Sequence, residues 1–417
     1  MKKILLITLL CLTANFALSL PVCHFEHYST DDGLPQFSIT DIIQDRKGFM
    51  WFATWDGFSK FDGYTFRNFK VRRGDAYQMN SNRIQHIYED RYGYIWLHSH
   101  NSEAHCFDPQ TETFKEIKIL HDPARKIPFK MSQIKICPSG KRWIISQNDG
   151  CICVYDSLLS TKLYNTESER IKSNKVHRIY EDKELNTWIL TDNGLTLVRD
   201  GDNDAHSFFF ENRVSESNQH FFSVAEFPEH IWFGCNKGRI WIYCKSTGKF
   251  DLLQTPSQSD LTSLTPLPPQ KVIIATSGDG FFVYDTERKT FKPYNMKNRK
   301  AIKSDKIRAL HIDRRQQFWF ETDGLGIYKF NPEDETVKYY LVQVNDPSIN
   351  TIPPASDIVE DTHGQLWIHP RGGGFSFYNP ETDTLEPFYN KESSPDWRFS
   401  NICLLYTSPS PRDRSLS

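Results

Sequence analysis

The chain repeats itself about every 45 residues, and the tryptophans mark the period. Trp51, Trp96, Trp143, Trp188 and Trp232 follow one another at intervals of 45, 47, 45 and 44 residues; Ile274 takes the slot in the next unit, and Trp319 and Trp367 resume the series. Around them recurs a core that the second unit spells out as Ser81-Asn82-Arg83-Ile84, Ile87-Tyr88-Glu89-Asp90, Gly93 and Ile95-Trp96. Eight such units are visible. A unit this short cannot bury both of its faces alone, so the repeats must stack on one another.

Each unit carries four short strand signals separated by turn signals, the pattern of a four-stranded antiparallel blade. In the second unit the spacing predicts strand A over Arg83–Tyr88, B over Tyr94–His98, C over Ala104–Phe107 and D near Thr113–Ile117. Gly48, Gly93, Gly140 and Gly364 fall in the A to B turn. Gly57, Gly150, Gly194, Gly238, Gly280 and Gly324 fall in the B to C turn, where positive φ is often required. The tryptophans read as wedges between adjacent blades. In the fifth and sixth units Phe227-Pro228-Glu229-His230 and Leu267-Pro268-Pro269-Gln270 replace the acidic turn, and both still count as blades. The expected fold is therefore all-β, a seven-bladed β-propeller over residues 24–345 followed by the first blade of a truncated second propeller over 346–402. Phe25–Tyr28 reads as a lone D-like strand that closes the last blade of a ring.

An aromatic share of 14% and a hydrophobic share of 38% belong to a folded protein. Fifty basic and 52 acidic residues without long like-charge runs leave no electrostatic footprint for nucleic acid or an anionic membrane. Residues 1–19 read as a secretory signal, with Lys2-Lys3, an apolar run from Ile4 to Leu10, and the small residues Ala17 and Ser19. Seven cysteines between Cys23 and Cys244 show no zinc-like spacing and read as core filler, Cys151-x-Cys153 included. His98-x-His100 lacks a third ligand, and Asp200-Gly201-Asp202-Asn203-Asp204 lacks the glycine and the helices of a calcium loop, so neither a metal nor a cofactor is expected. Residues 403–417, opening Cys403-Leu404-Leu405-Tyr406-Thr407-Ser408-Pro409, resemble the translation of a sequencing-library adapter and read as a non-native tail.

The pattern Ser-Asn-x-Ile, Glu-Asp-x-x-Gly-x-Ile-Trp, Gly and Phe-Asp resembles the two-component regulator propeller repeat. The opening is particularly specific, from Phe25-Glu26-His27-Tyr28 through Asp32-Gly33-Leu34-Pro35 and Asp45-Arg46-Lys47-Gly48-Phe49-Met50-Trp51 to Asp56-Gly57-Phe58 and Phe61-Asp62-Gly63. The resemblance implies the periplasmic sensor region of a hybrid two-component histidine kinase. It implies two seven-bladed propellers followed by an immunoglobulin-like domain, a membrane helix, kinase, receiver and DNA-binding domains that this chain lacks. It also implies an oligosaccharide ligand, signal transduction by phosphorelay, and a homodimer in the full-length parent, which alone would meet the membrane and carry the kinase chemistry.

In a propeller with strand A innermost, the D to A connections and the B to C turns share one face. The ligand candidates on that face are Trp55, Asp56, Arg83, His100, Asn101, Asp192, Lys237, Arg239, Asp323 and Arg371, with no catalytic residue among them. Carboxylates, amides and guanidinium groups pair with sugar hydroxyls, and an exposed indole stacks on a pyranose face. The competing expectation is a propeller enzyme, a glycosidase or lyase, since the Asp-x-x-Gly-x-x-Trp turn resembles the Asp-box of sialidases. No GxSxG, HExxH or arginine cluster with a nucleophilic tyrosine supports it.

Overall fold

The computed structural model describes residues 28–71, 79, 81–117, 129–201, 205–208, 219–322, 326–340, 355–361, 363–370 and 376–387. They form eight four-stranded antiparallel sheets, each with its strands in sequence order A-B-C-D. Strand A runs over Ile39–Gln44, Ile84–Glu89, Met131–Ile136, Val176–Glu181, Phe221–Glu226, Leu261–Leu267, Ile307–Ile312 and Ala355–Glu360 in blades 1 to 8. Strand B runs over Met50–Thr54, Ile95–Ser99, Arg142–Ser146, Thr187–Thr191, His230–Cys235, Lys271–Thr276, Phe318–Thr322 and Leu366–Pro370. The degenerate fifth and sixth units are blades, as their turn chemistry implies, and Phe227 N–H closes the fifth hairpin onto His230 O at 2.8 Å.

Seven apolar clusters hold the stack, each joining one blade to the next in sequence. Strand B is covered on both faces and is buried throughout in blades 2, 3, 4 and 7. Strand D is the more exposed edge. Trp51, Trp96, Trp143, Trp188 and Trp319 are fully buried against the following blade, the wedge role their period implies. The sixth blade corrects one detail. Leu261 pairs with Thr276 as Ile39 pairs with Thr54, which places Ile273, not Ile274, in the tryptophan's register. Ile273 packs forward with blade 7 and Ile274 backward with blade 5.

The repeat motif is a set of latches. Its aspartate closes its own turn: Asp45 Oδ1 accepts the N–H groups of Lys47 and Phe49, and Oδ2 accepts Trp51 Nε1–H at 2.8 Å. Asp90, Asp182, Asp313 and Asp361 repeat the arrangement with Trp96, Trp188, Trp319 and Trp367. The glutamate before it reaches the preceding blade, Glu89 accepting from Arg46 N–H and Glu181 from Ser139 N–H. At the other end Asn82 O accepts from Gly57 N–H, and Asn82 Oδ1 from Val71 N–H. The glycine is required because a Cβ on Gly57, at φ +97°, would lie 2.3 Å from Phe69 O. In blade 7 this position belongs to Gly326, directly before strand C, and Gly324 lies outside the described residues.

Asp32-Gly33-Leu34-Pro35 is a capped turn: Ser29 and Asp32 exchange hydrogen bonds around a short 3-10 helix, and Asn68 Nδ2 donates to Gly33 O. Of the expected strand Phe25–Tyr28 only Tyr28 is described, edge-on to Phe61 and Phe66 of blade 1 at 4.9 and 5.6 Å. Residues 1–19 and 403–417, read above as a signal and a tail, lie outside the described residues. Among the described residues no helix is long and apolar enough to cross a membrane.

Candidate functional site

The B to C turns and the D to A connections do share one end of the stack, since the turn glycines of blades 1, 3, 5 and 6 donate to the connections that follow them. Three structural slots recur there. The first is the turn residue four after the tryptophan, filled by Trp55, His100, Gln147, Asp192 and Asn236. The second is the residue just before strand A, and the two are tied together, as His100 N–H donates to Arg83 O, Asp192 N–H to Lys175 O and Asn236 N–H to His220 O. The third is a β-bulge at the second residue of strand A, where register shifts mark Thr40, Gln85, Ser132, His177, Phe222 and Thr262. A bulge re-aims its side chain, and at two of these positions, Gln85 and His177, it brings the side chain to the turn residue of the same blade.

At the junction of blades 1 and 2 these slots bring three of the sequence candidates together. The Trp55 indole is 51% exposed, the Arg83 guanidinium lies 5.4 Å over it, and the His100 ring stacks 6.2 Å away at 25°. Gln85 Nε2 lies 3.2 Å from His100 Nδ1 and completes the group. An exposed ring flanked by a cation and two hydrogen-bonding side chains can hold a flat, hydroxyl-rich ligand.

Other candidates are placed differently. Asp56 is taken up in a latch, accepting from Lys70 Nζ at 2.6 Å and from Asn82 Nδ2 at 3.1 Å. Asn101 Oδ1 accepts from Ser99 Oγ in its own turn. Lys237 is a turn residue at φ +56° whose carbonyl accepts from Gln254 Nε2. Arg239 corrects the expectation of an exposed cation, because it is only 3% exposed. It follows the turn glycine directly, the core-facing position that holds Phe58, Cys151, Leu195 and Phe281 in other blades. Asp323 and Arg371 lie outside the described residues. His98 and His100 do not converge: His98 is buried, its imidazole pushed down to about 4 by burial and then by His86, while His100 stands in the turn.

Asp192 meets two partners that the sequence reading missed, His177 on the bulge of blade 4 and His220 before strand A of blade 5. Burial raises the Asp192 carboxyl, but hydrogen bonds from His220 and His177 outweigh it and hold the group below its ordinary range. A signal existed for the entry slot, since Ser217-Asn218-Gln219-His220 is the Ser-Asn motif with one residue added. The bulge that aims His177 has no signature in one sequence. Two clefts open elsewhere, of about 240 Å³ beside Asp182, Trp188 and Lys245 and about 480 Å³ beside Trp143, Tyr155 and Arg170.

Residues 33–56 and 78–101 match the model of the two-component regulator propeller family. Histidine kinase P4 of Formosa agariphila is 42% identical over 52 residues, a match spanning 12% of this chain and 4% of that protein. A similar solved structure is the extracellular domain of a B. thetaiotaomicron protein, BT4673, named as a hybrid two-component system. It is 16% identical with a TM-score of 0.40, the match covering 84% of this chain and 51% of that one. Virginiamycin B lyase from Staphylococcus aureus is 14% identical with a TM-score of 0.45, over 65% of this chain and 87% of that one. The chain thus spans about half of the solved extracellular domain and a small part of the curated relative. The chain is thus a protein of eight four-stranded propeller blades, the first two of which carry repeats that match the two-component regulator propeller model.

Proposed function

We propose that the chain is the exported ligand-sensing region of a hybrid two-component histidine kinase, and that it binds an oligosaccharide on the face of the B to C turns without cleaving it. The observation that carries the reading is the half-exposed Trp55 indole with Arg83 over its ring and His100 stacked beside it. An indole left in water at a tight turn has large apolar area to bury, and a pyranose C–H face is a partner that also satisfies the polar groups around it. The parent protein lies in the inner membrane as a homodimer, and ligand shifts its dimer arrangement by differential contacts.

The test is calorimetric titration of the full chain against a panel of defined oligosaccharides, with product analysis of each mixture. Saturable binding without new reducing ends is expected, weakened about tenfold or more by Trp55→Ala, the loss of one buried aromatic contact. Tyr155→Ala, beside the larger cleft, should leave it unchanged. Turnover of the sugar, or binding that survives Trp55→Ala but not Tyr155→Ala, would overturn the proposal.

A further inference from the structure

The junction of blades 4 and 5 has the same three slots as the Trp55 group but different chemistry. We infer that His177, Asp192 and His220 form a binding site for a divalent transition-metal ion, zinc by its donor set, that clips blade 4 to blade 5. Nε2 of His177 and Nδ1 of His220 both approach Oδ1 of Asp192, the latter at 2.7 Å, and the three donor atoms lie within 4.8 Å of one another. Ligands each about 2.0–2.2 Å from one zinc ion stand at most ~4.4 Å apart, so small side-chain shifts bring these atoms into its first shell. Two imidazoles and one carboxylate are borderline donors suited to zinc, cobalt or nickel rather than to calcium or magnesium, and three protein ligands leave a coordination position open.

The site is built by the fold. The bulge aims His177, the turn presents Asp192, and the entry to strand A presents His220, so the donors come from three backbone segments. Among the described junctions this is the one where all three slots carry metal-ligating side chains; the first junction has Thr40, Trp55 and Arg83, and the second has Gln85, His100 and Lys130. The backbone around the ligands is fixed. Asp192 N–H donates to Lys175 O, Asn236 N–H to His220 O, and a parallel bridge pairs Asn193 with Gln219. Gln219 Oε1 in turn accepts Trp241 Nε1–H at 2.9 Å, anchoring the residue before His220 to the core. The Phe222 ring packs beside both imidazoles at 5.6 and 6.2 Å and limits their rotation. All three side chains keep partial solvent access, between 18% and 34%, so an ion can enter. The opposing feature is Lys175, whose ammonium lies 3.7 Å from Asp192 Oδ2. Its charge weakens cation binding, which makes it a test.

The inference is independent of the oligosaccharide reading and is tested without a sugar. The full chain, stripped with chelator, is titrated with zinc chloride by calorimetry and with cobalt chloride by visible absorption. One ion per chain is expected, with a cobalt spectrum of nitrogen and oxygen ligands and no thiolate charge-transfer band, and zinc should raise the melting temperature. His177→Ala and His220→Ala should each weaken binding about tenfold or more, the loss usual for perturbing a metal site. Lys175→Ala should tighten it. Melting curves in chelator show whether each variant is folded, and the cobalt spectrum of the unmutated chain stands even if one is not. A thiolate band, zinc affinity indifferent to His177 and His220, or no saturable binding would overturn the inference and leave the three residues as a hydrogen-bonded cluster between the blades.

Discussion

Trp143 shows what one residue of the repeat contributes. Its indole is fully buried, and its N–H has no hydrogen-bond partner among the described residues. In blades 1, 2, 4, 7 and 8 the corresponding N–H is taken by the turn aspartate, but in blade 3 that position is Cys137. The turn keeps its shape, with Gly140 N–H donating to Cys137 O at 2.8 Å, and the two freed backbone donors find Glu181 and the Ser139 hydroxyl instead. Only the indole loses. Cys137→Asp supplies the missing acceptor in a turn already formed for it, so it should stabilise the chain by about 1 kcal/mol, the net worth of a buried hydrogen bond. A raised melting temperature is expected for Cys137→Asp and none for Cys137→Ala; a fall with aspartate would contradict the account. The cysteine itself is inert in place, its thiol pushed up to about 12 by burial and the nearby Glu181.

At the scale of the element, the A to B turn of blade 2 is tied to blade 3 by a buried charge. Asp90 accepts from Tyr92 N–H, Tyr94 N–H and Trp96 Nε1–H, and Arg142 Nε lies 3.3 Å from its Oδ2 with both side chains at 0% exposure. Arg142 also covers the Tyr92 and Trp96 rings and donates to Gly140 O and Asp156 O. Asp90→Ala strands a buried guanidinium and should cost about 3–5 kcal/mol. Asp313→Ala breaks the same kind of turn, but the nearby buried Lys329 is paired with Asp383 and is not stranded, so the change should cost about 1–3 kcal/mol. Adding Arg142→Met to Asp90→Ala should recover part of the larger loss, because it removes the stranded charge. Melting temperatures of the three variants check this, and equal losses for Asp90→Ala and Asp313→Ala would refute the special role of Arg142. The blades themselves were legible because turn glycines, Asn, Glu-Asp and Trp recur at fixed offsets, and where these residues are present they act as latches on the turns and between neighbouring blades. What the period hides is deviation from it. Arg142 and Arg239 are charged residues in buried places, and the bulge that turns His177 toward Asp192 is a matter of backbone register, which no single unit's composition records.

For the whole molecule the question is what holds the last blade to the stack. Trp319, Ile327 and Tyr340 of blade 7 share an apolar cluster with Ile358, Leu366, Ile368 and Tyr378 of blade 8. Over it sits a polar clasp, in which the Asp383 carboxylate accepts from Lys329, from Lys338 at 2.7 Å, from Tyr340 at 2.5 Å and from Tyr378 at 2.7 Å. Three of these donors belong to blade 7, and the Lys329 ammonium is buried over the Trp319 ring. Burial raises the Asp383 carboxyl, but the lysine and tyrosine donors outweigh it and hold it well below the ordinary carboxylate range. A carboxyl depressed in the folded state adds stability that is complete above its unfolded value, near pH 4, and is lost as pH falls through the lower folded value. The clasp should therefore hold at neutral pH and weaken only in strong acid, by less than a buried pair would, since 40% of the Asp383 side chain is exposed. Asp383→Asn mimics the acid state at neutral pH and leaves Lys329 buried without its counter-charge. Hydrogen exchange should then quicken over Leu366–Pro370, Ser376–Asn379 and Thr384–Pro387 while the strands of blades 1 to 6 keep their protection. If those three strands exchange as slowly in Asp383→Asn as in the unmutated chain, the apolar cluster alone holds the blade and the clasp is ornamental.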